Sequence, residues 1–348
     1  MKRLRSERSM TRHRPVVRSA GLSGPRRGGP ERSALRLSSK FAVMVLAGAA
    51  IAVHAQTSVP AAGFHHVHLN VVDPAASIAW YNKVFEVTKK ANVAGWPAVQ
   101  SENVYLLFNP VPTAAPTTPD TAIWHFGWGS TNMEADYPKH VANGVQFATP
   151  MTKLASGTLF AYMKAPDGNL VEINSSNTNA FVHVHLYSAA PLCTAEWYEK
   201  YLGARRLPGL PGRGQPSEGD CHVPFAAPSE PLGVIRQPAA TVRLDDVNLI
   251  IYPQQKTEPL VSTRGQANDH IAVSYSNVPE ALDRLKQMGV KVLENVHEFG
   301  NTNLKAAMIE GPDQMAIELV ETAPAARARR ASLRAPQRER VGVGPRAQ

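Results

Sequence analysis

The sequence is short of cysteine, of long apolar runs and, away from its two ends, of positive charge. Only Cys193 and Cys221 occur, too few for a disulfide framework and without the spacing or neighbours of a metal site or a nucleophile. They could form one bond in an oxidising compartment or stand unpaired. The apolar run Phe41 to Val53 has 13 residues, short of the ~20 that a membrane-spanning helix needs. The net charge of +9 belongs to the termini: residues 1–55 hold 12 Lys and Arg against 2 acids, and residues 322–348 hold 7 against 1. Between them, residues 56–321 carry 18 basic and 25 acidic residues. That acidic balance leaves the central part without the basic footprint of a nucleic-acid binder. The Arg-, Pro-, Gly- and Ser-rich ends lack the aromatic interleaving or helical stripe such a role would use.

What is present near the N-terminus reads as a secretory signal. Lys40 precedes the apolar run and small residues follow it, so cleavage is expected after Ala55, with export to the periplasm or the extracellular space and no stable membrane insertion afterwards. The forty residues before the run exceed a normal basic leader, which points to a start near Leu35 or Leu37. An uncleaved anchor is the alternative. A twin-arginine signal is disfavoured, because Arg26-Arg27 is followed by Gly-Gly-Pro far from the run. Residues 322–348 read as a basic disordered tail.

The central part repeats itself, which is the decisive observation. His66-Val67-His68-Leu69 recurs 117 residues on as His183-Val184-His185-Leu186, and Trp80-Tyr81 recurs as Trp197-Tyr198. At an offset of 145, His125 falls on His270, Asn132 on Asn277 and Gly144-Val145 on Gly289-Val290. With one residue inserted, Pro166-Asp167 maps onto Pro312-Asp313 and Glu172 onto Glu318. Each copy divides again. A strand starting at a histidine is followed seven residues later by a capping Asp73 or Asn132, then a helix, then strands. Later strands are expected at 103–109, 158–164, 169–174, 245–252, 303–309 and 314–320, with turns at Pro166-Asp167-Gly168 and Pro312-Asp313-Gln314. Segments 111–120 and 207–219 read as exposed loops. The fold class is α+β: four βαβββ modules at 64–110, 121–175, 181–253 and 268–321, grouped in sequence as domains 64–175 and 181–321.

The motifs H-x-x-L-x-V-x-D at His66 to Asp73, H-x6-N at His125 and His270, and the endings A-P-D-G-x3-E and G-P-D-Q-x3-E make the chain resemble the vicinal oxygen chelate superfamily. That superfamily includes glyoxalase I, extradiol dioxygenases and the fosfomycin and bleomycin resistance proteins. The resemblance covers about 255 residues and implies paired modules whose first strands, with the last strand of the second module, hold a divalent metal. Carried over within each tandem domain, it implies the ligand sets His66, His125 and Glu172, and His183, His270 and Glu318, while the sequence leaves open whether sites form within each tandem pair or across a swapped arrangement.

The residues themselves favour such a use. His66, His68 and Asn70 share one face of a strand and Val67, Leu69 and Val71 the other. A strand histidine is ordinarily structural, but four at equivalent positions with a repeated glutamate favour a metal. Glu172 and Glu318 sit within apolar strands, where an unpaired carboxylate is costly and a cation would remove the cost. Two imidazoles and a carboxylate are the donor set of non-haem Fe(II) oxygenases, with Mn(II), Ni(II) or Zn(II) as alternatives. His68 and His185 would contact substrate, support the ligands or simply fill a polar cavity. His65, which faces Val182 in the repeat, reads as surface or edge. The resemblance to glyoxalase I implies a fourth ligand, a glutamate on the last strand of the first module, and neither 104–110 nor 247–253 carries one. Three ligands move the expectation toward a dioxygenase-like enzyme acting on a small oxygen-chelating substrate. Tyr162 lies at the spacing of that family's catalytic tyrosine, although the histidine expected upstream is missing and Met308 replaces it in the repeat. An ordinary strand tyrosine is the alternative there. Tyr162 and His68 are the candidate proton donors or acceptors. A glyoxalase-like lyase or isomerase and a non-catalytic binding protein are the competing functions.

Overall fold

A computed structural model describes residues 62–116, 121–208, 221, 238–255 and 258–322. The leader, the signal and residues 323–348 of the basic tail lie outside them. No helix of the described residues is long and apolar enough to cross a membrane.

The four modules form as the repeats predict. Module 1 runs β1 (Gly63–Val71), α1 (Pro74–Val84), β2 (Thr88–Val93), β3 (Trp96–Ser101) and β4 (Val104–Pro110). Module 2 runs β5 (Ile123–Ser130), α2 (Met133–Ala142), β6 (Phe147–Lys153), β7 (Leu159–Lys164) and β8 (Leu170–Ser175). Module 3 comprises β9 (Phe181–Ser188), α3 (Pro191–Leu202), β10 (Arg205–Arg206), β11 (Ala240–Leu244) and β12 (Val247–Pro253). Module 4 comprises β13 (Asn268–Tyr275), α4 (Val278–Gln287), β14 (Val292–Glu298), β15 (Lys305–Glu310) and β16 (Ala316–Glu321).

Three of the described α-helices begin where the capping residues stand, and α3, which starts after Ala190, has no side-chain cap. Asp73 accepts from the N–H groups of Ala75 and Ala76 and is followed by Pro74, whose missing N–H costs nothing at the first helical position. Asn132 and Asn277 accept in the same way from Ala135 and Glu280. In α4 the buried residues Val278, Ala281, Leu282 and Leu285 repeat at helical spacing and form one stripe against the sheet.

The sheets join modules in a manner the tandem repeat conceals. One eight-stranded sheet has the order β14-β15-β16-β13-β1-β4-β3-β2, uniting modules 1 and 4. The other has the order β10-β11-β12-β9-β5-β8-β7-β6, uniting modules 2 and 3. In each, two first strands meet antiparallel at the centre, β1 with β13 and β5 with β9. Sequence neighbours are held by their helix sides instead. Phe85 at the end of α1 stacks on Trp128 of β5 at 4.2 Å between centroids, and Tyr198 of α3 donates to Met315 Sδ at 3.6 Å. The repeated turn aspartates do the same work in both halves: Asp167 accepts from the Val72 N–H, and Asp313 from the Ala189 N–H. Val67, Leu69, Val71, Phe126, Val184 and Ile271 point into the large apolar core on the helix side. The histidines face the other way.

Cys193 and Cys221 are joined in a disulfide, which resolves the alternative left open by spacing. It ties α3 to the segment that follows β10.

Two candidate metal centres

The first centre stands on β1, β13 and β16. Across these strands His66 pairs with Ala272, and Ala272 with Glu318, so a small residue separates imidazole from carboxylate and both can lean over it. One step along, His68 lies opposite His270. Glu318 Oε2 is 3.3 Å from His66 Nε2 and 3.7 Å from His270 Nε2. All four side chains are buried. The Nε2 atoms of His66, His68 and His270, and Glu318 Oε2, have no hydrogen bond.

The second centre repeats this on β9, β5 and β8. His183 pairs with Gly127, and Gly127 with Glu172, while His185 lies opposite His125. Glu172 Oε2 is 2.9 Å from His125 Nε2, 3.3 Å from His183 Nε2 and 3.4 Å from His185 Nε2. Its other oxygen accepts from Asn174 at 3.0 Å. Gly127 is needed for packing here: a Cβ would lie 2.6 Å from two atoms of the His183 ring.

The ligand grouping carried over within each tandem domain is therefore corrected. Five of the six stand in clusters whose ligand atoms lie within 4.8 Å of one another, and Glu318 lies beside one of them, but His66 meets His270 and Glu318, and His183 meets His125 and Glu172. The reason is strand pairing. The first strand of module 1 finds its antiparallel partner in module 4, and the chain between them forms the second sheet. Gly127 and Ala272 were also missed, although a small residue two after His125 and His270 is visible in the sequence.

Two further pairs of residues escaped because β-bulges override the two-residue period. On β13, His270 pairs with His68 and Asn268 with Leu69, leaving Asp269 as the extra residue. On β5 the same slip leaves Trp124 extra. At the other end, His65 is extra on β1 and Val182 on β9. His65 is not a surface residue: it is buried, and its Nδ1 is 2.8 Å from His66 Nδ1. Asp269 Oδ1 accepts from His270 Nδ1 at 2.7 Å. Both contacts engage the rear nitrogen of an imidazole and turn its Nε2 toward Glu318, the usual device for orienting a histidine ligand.

Electrostatics follow burial and partners. Burial lowers the pKa of His66 and His125 despite the nearby glutamates, and lowers His68 and His185 further. At His270 burial acts in the same sense, but the hydrogen bond to Asp269 and the nearby charges of Asp269 and Glu318 together outweigh it and raise the imidazole to about 9. Burial would raise Glu318 and Glu172. The surrounding imidazoles overcome it and hold both carboxyls well below the usual range.

Buried, unsatisfied donor atoms gathered in this way cost several kcal/mol if left alone, and a divalent cation would satisfy them together. Imidazole with one carboxylate suits Fe, Mn, Ni or Zn rather than Ca or Mg. The positions beside His66 and His183 on the neighbouring strands are Tyr105 and Asn248, so the fourth-ligand glutamate is absent from the geometry as well. Tyr162 belongs to the second centre, paired with Glu172 and 4.9 Å from the His125 ring. Burial, with the Glu172 charge behind it, pushes its phenol far up. It can donate a hydrogen bond but does not ionise readily.

The sequence profile of the Glyoxalase/Bleomycin resistance protein/Dioxygenase superfamily matches residues 63–173 and 180–319. With two eight-stranded sheets of paired βαβββ modules, the chain belongs to that superfamily. Among solved structures, glyoxalase I from Zea mays is similar at 17% identity, covering 78% of this chain and 96% of its own, with a TM-score of 0.58. A candidate dioxygenase from Bacillus subtilis is similar at 14% identity, covering 77% and 87%, with a TM-score of 0.54. At these identities the likeness is one of fold. Comparison with curated proteins finds no significant match.

Proposed function

We propose that this protein is an exported metal-dependent enzyme that acts on a small substrate bearing adjacent oxygens, in the manner of a dioxygenase, at the centre formed by His66, His270 and Glu318. The observation that carries this is the gathering of buried His66, His68 and His270, whose ligand nitrogens lie within 4.8 Å of one another, with the unsatisfied Glu318 Oε2 3.3 Å from His66 Nε2 and 3.7 Å from His270 Nε2. A divalent ion there, Fe(II) by preference, would supply Lewis acidity and, as iron, redox capacity. The chain's own residues do the rest. His65 and Asp269 fix the rear nitrogens of two imidazoles. His68, neutral through burial, accepts a proton from a substrate hydroxyl and returns it to product.

What favours the oxygenase reading over a lyase or isomerase of the glyoxalase type is the missing fourth-ligand glutamate, since Tyr105 and Asn248 stand at the strand positions beside His66 and His183. The Cys193–Cys221 bond supports export, since disulfides persist in oxidising compartments. The test is reconstitution with Fe(II) under anaerobic conditions, followed by oxygen uptake with a panel of vicinal diols and hydroxy-carbonyls. Stoichiometric uptake abolished in His270→Ala is expected. Turnover of a hemithioacetal without oxygen uptake would overturn the oxygenase assignment, and failure to bind any divalent metal would overturn the whole proposal.

A further inference from the structure

The two centres share a donor pattern but not its surroundings, and matched positions make the contrast exact in kind. Asn70 and Asn109, paired across β1 and β4, correspond to Tyr187 and Tyr252, paired across β9 and β12. Asp269 corresponds to Trp124, and Met308 to Tyr162. At the first centre three of these four positions are polar: Asn109 donates to Asn70 at 2.7 Å, and Asn70 donates to Asp269 at 3.2 Å, while its aromatic neighbours come from other positions, Trp96 against His68 at 4.9 Å and Phe299 against His66 at 6.1 Å. Arg264 beside them is partly exposed, with 43% of its side chain accessible. At the second centre they form an aromatic cluster. Trp124 stacks on Tyr187 at 4.8 Å and tilts against Tyr162 at 5.7 Å, while Tyr252 packs against His185 at 5.0 Å. All four are buried, and Leu260 packs against them.

The donors also gather differently. His125, Glu172, His183 and His185 all offer ligand atoms within 4.8 Å of one another, whereas at the first centre that distance gathers only His66, His68 and His270. His185 Nε2 reaches the carboxylate of its centre. The rear nitrogens differ too: the bulge positions that hold His65 and Asp269 at the first centre hold Val182 and Trp124 at the second, and neither can accept or donate in the same way.

We infer that the second centre holds its ion in a closed set of four protein donors, His125, His183, His185 and Glu172, with the aromatic cluster as a cap, and that it serves structure while the first centre remains open to substrate. Sites in which protein supplies every ligand are stabilising, and reactive sites keep a position for an exchangeable ligand. His185 is then a metal ligand, and Tyr162 is a cap residue. This rests on the metal-site reading above.

The experiment uses the purified protein stripped of metal and reloaded with Co(II), whose visible spectrum reports the ligands of each ion, with azide as the exchangeable anion. Two ions per chain are expected, one whose spectrum shifts with azide and one whose spectrum does not. His185→Gln should weaken Co(II) binding at the azide-insensitive ion by on the order of 100-fold. Trp124→Ala, which opens the cap and removes no donor, should make that ion respond to azide. His270→Ala should remove only the responsive ion. An azide response from both ions in the unsubstituted protein would overturn the inference, as would an insensitive ion whose spectrum and affinity survive His185→Gln. Those results leave the metal reading intact. Binding of no Co(II) at all would overturn both.

Discussion

At the first centre the bulge positions carry His65 and Asp269; at the second they carry Val182 and Trp124. Between these bulges the same strands pair in the same register, with His68 opposite His270 and His185 opposite His125. The donor pattern is thus set by strand pairing, which the repeat preserves. What the centres can do is set by the residues that bulges and flanking strands turn toward them, and these have diverged. One centre has polarised imidazoles, an Asn109–Asn70–Asp269 hydrogen-bond chain and the partly exposed Arg264 beside it. The other has imidazoles gathered on one carboxylate under four buried aromatic rings. The repeat supplies the same donor pattern twice, and the residues around it differ between the two halves.

The largest effect that could break this comparison is on turnover. Glu318→Gln should lower activity by at least ~100-fold, since removing a ligand costs no less than disturbing the groups behind one. Glu172→Gln should leave the first centre's chemistry within a few-fold at temperatures where the variant is folded, and should lower the melting temperature instead. Equal activity losses in the two variants, measured side by side, would show that both centres react.

Next in size is the support behind His270. Asp269→Asn keeps the shape but weakens the hold on the His270 rear nitrogen, and should reduce metal affinity at the first centre ~10- to 100-fold. Competition with a chelator measures it. The second centre, where Trp124 occupies that position, should keep its ion throughout.

A smaller effect separates the two rows. Gly127→Ala drives a methyl group into the His183 ring and should cost ~1–3 kcal/mol, with loss of the second ion. Ala272→Gly, at the matched position, should cost only ~0.5–1 kcal/mol through chain entropy and retain both ions. Denaturant titration together with metal analysis distinguishes these outcomes.

Much of this architecture could be read from the residues. The four modules, their helix starts at Asp73, Asn132 and Asn277, and the six donors at equivalent strand positions all follow from repeat register and two-residue strand periodicity. Partnering did not follow, because a repeat reports which elements are alike and not which ones pair. β1 finds β13 some 200 residues away, and no local pattern marks that choice over β5. Asp269, Trp124 and His65 were hidden for a different reason. A bulge reverses the side on which a residue falls, so alternation placed all three away from the histidines. Tyr187 and Tyr252 were legible as strand residues, yet their role as a cap depends on β9 and β12 lying side by side.

The smallest prediction concerns the helices behind the sheets. His140 on α2 occupies the position of Leu285 on α4. Burial lowers its pKa below 6.5, so its contribution to stability is present above pH 6.5 and is lost as pH falls through the lowered value. His140→Leu should flatten the loss of stability on the acid side of pH 6.5, followed by thermal melting from pH 7 downward. An unchanged acid slope would remove His140 from the account.

The grouping of donors across modules is tested most directly by counting ions in two double variants. His66→Ala with His270→Ala removes two ligands from one centre, and the protein should retain one ion per chain. His66→Ala with His125→Ala removes one ligand from each centre, and both ions should be lost or greatly weakened. The reverse result, with one ion kept in the His66/His125 variant and none in the His66/His270 variant, would return the ligands to their tandem domains and contradict the account.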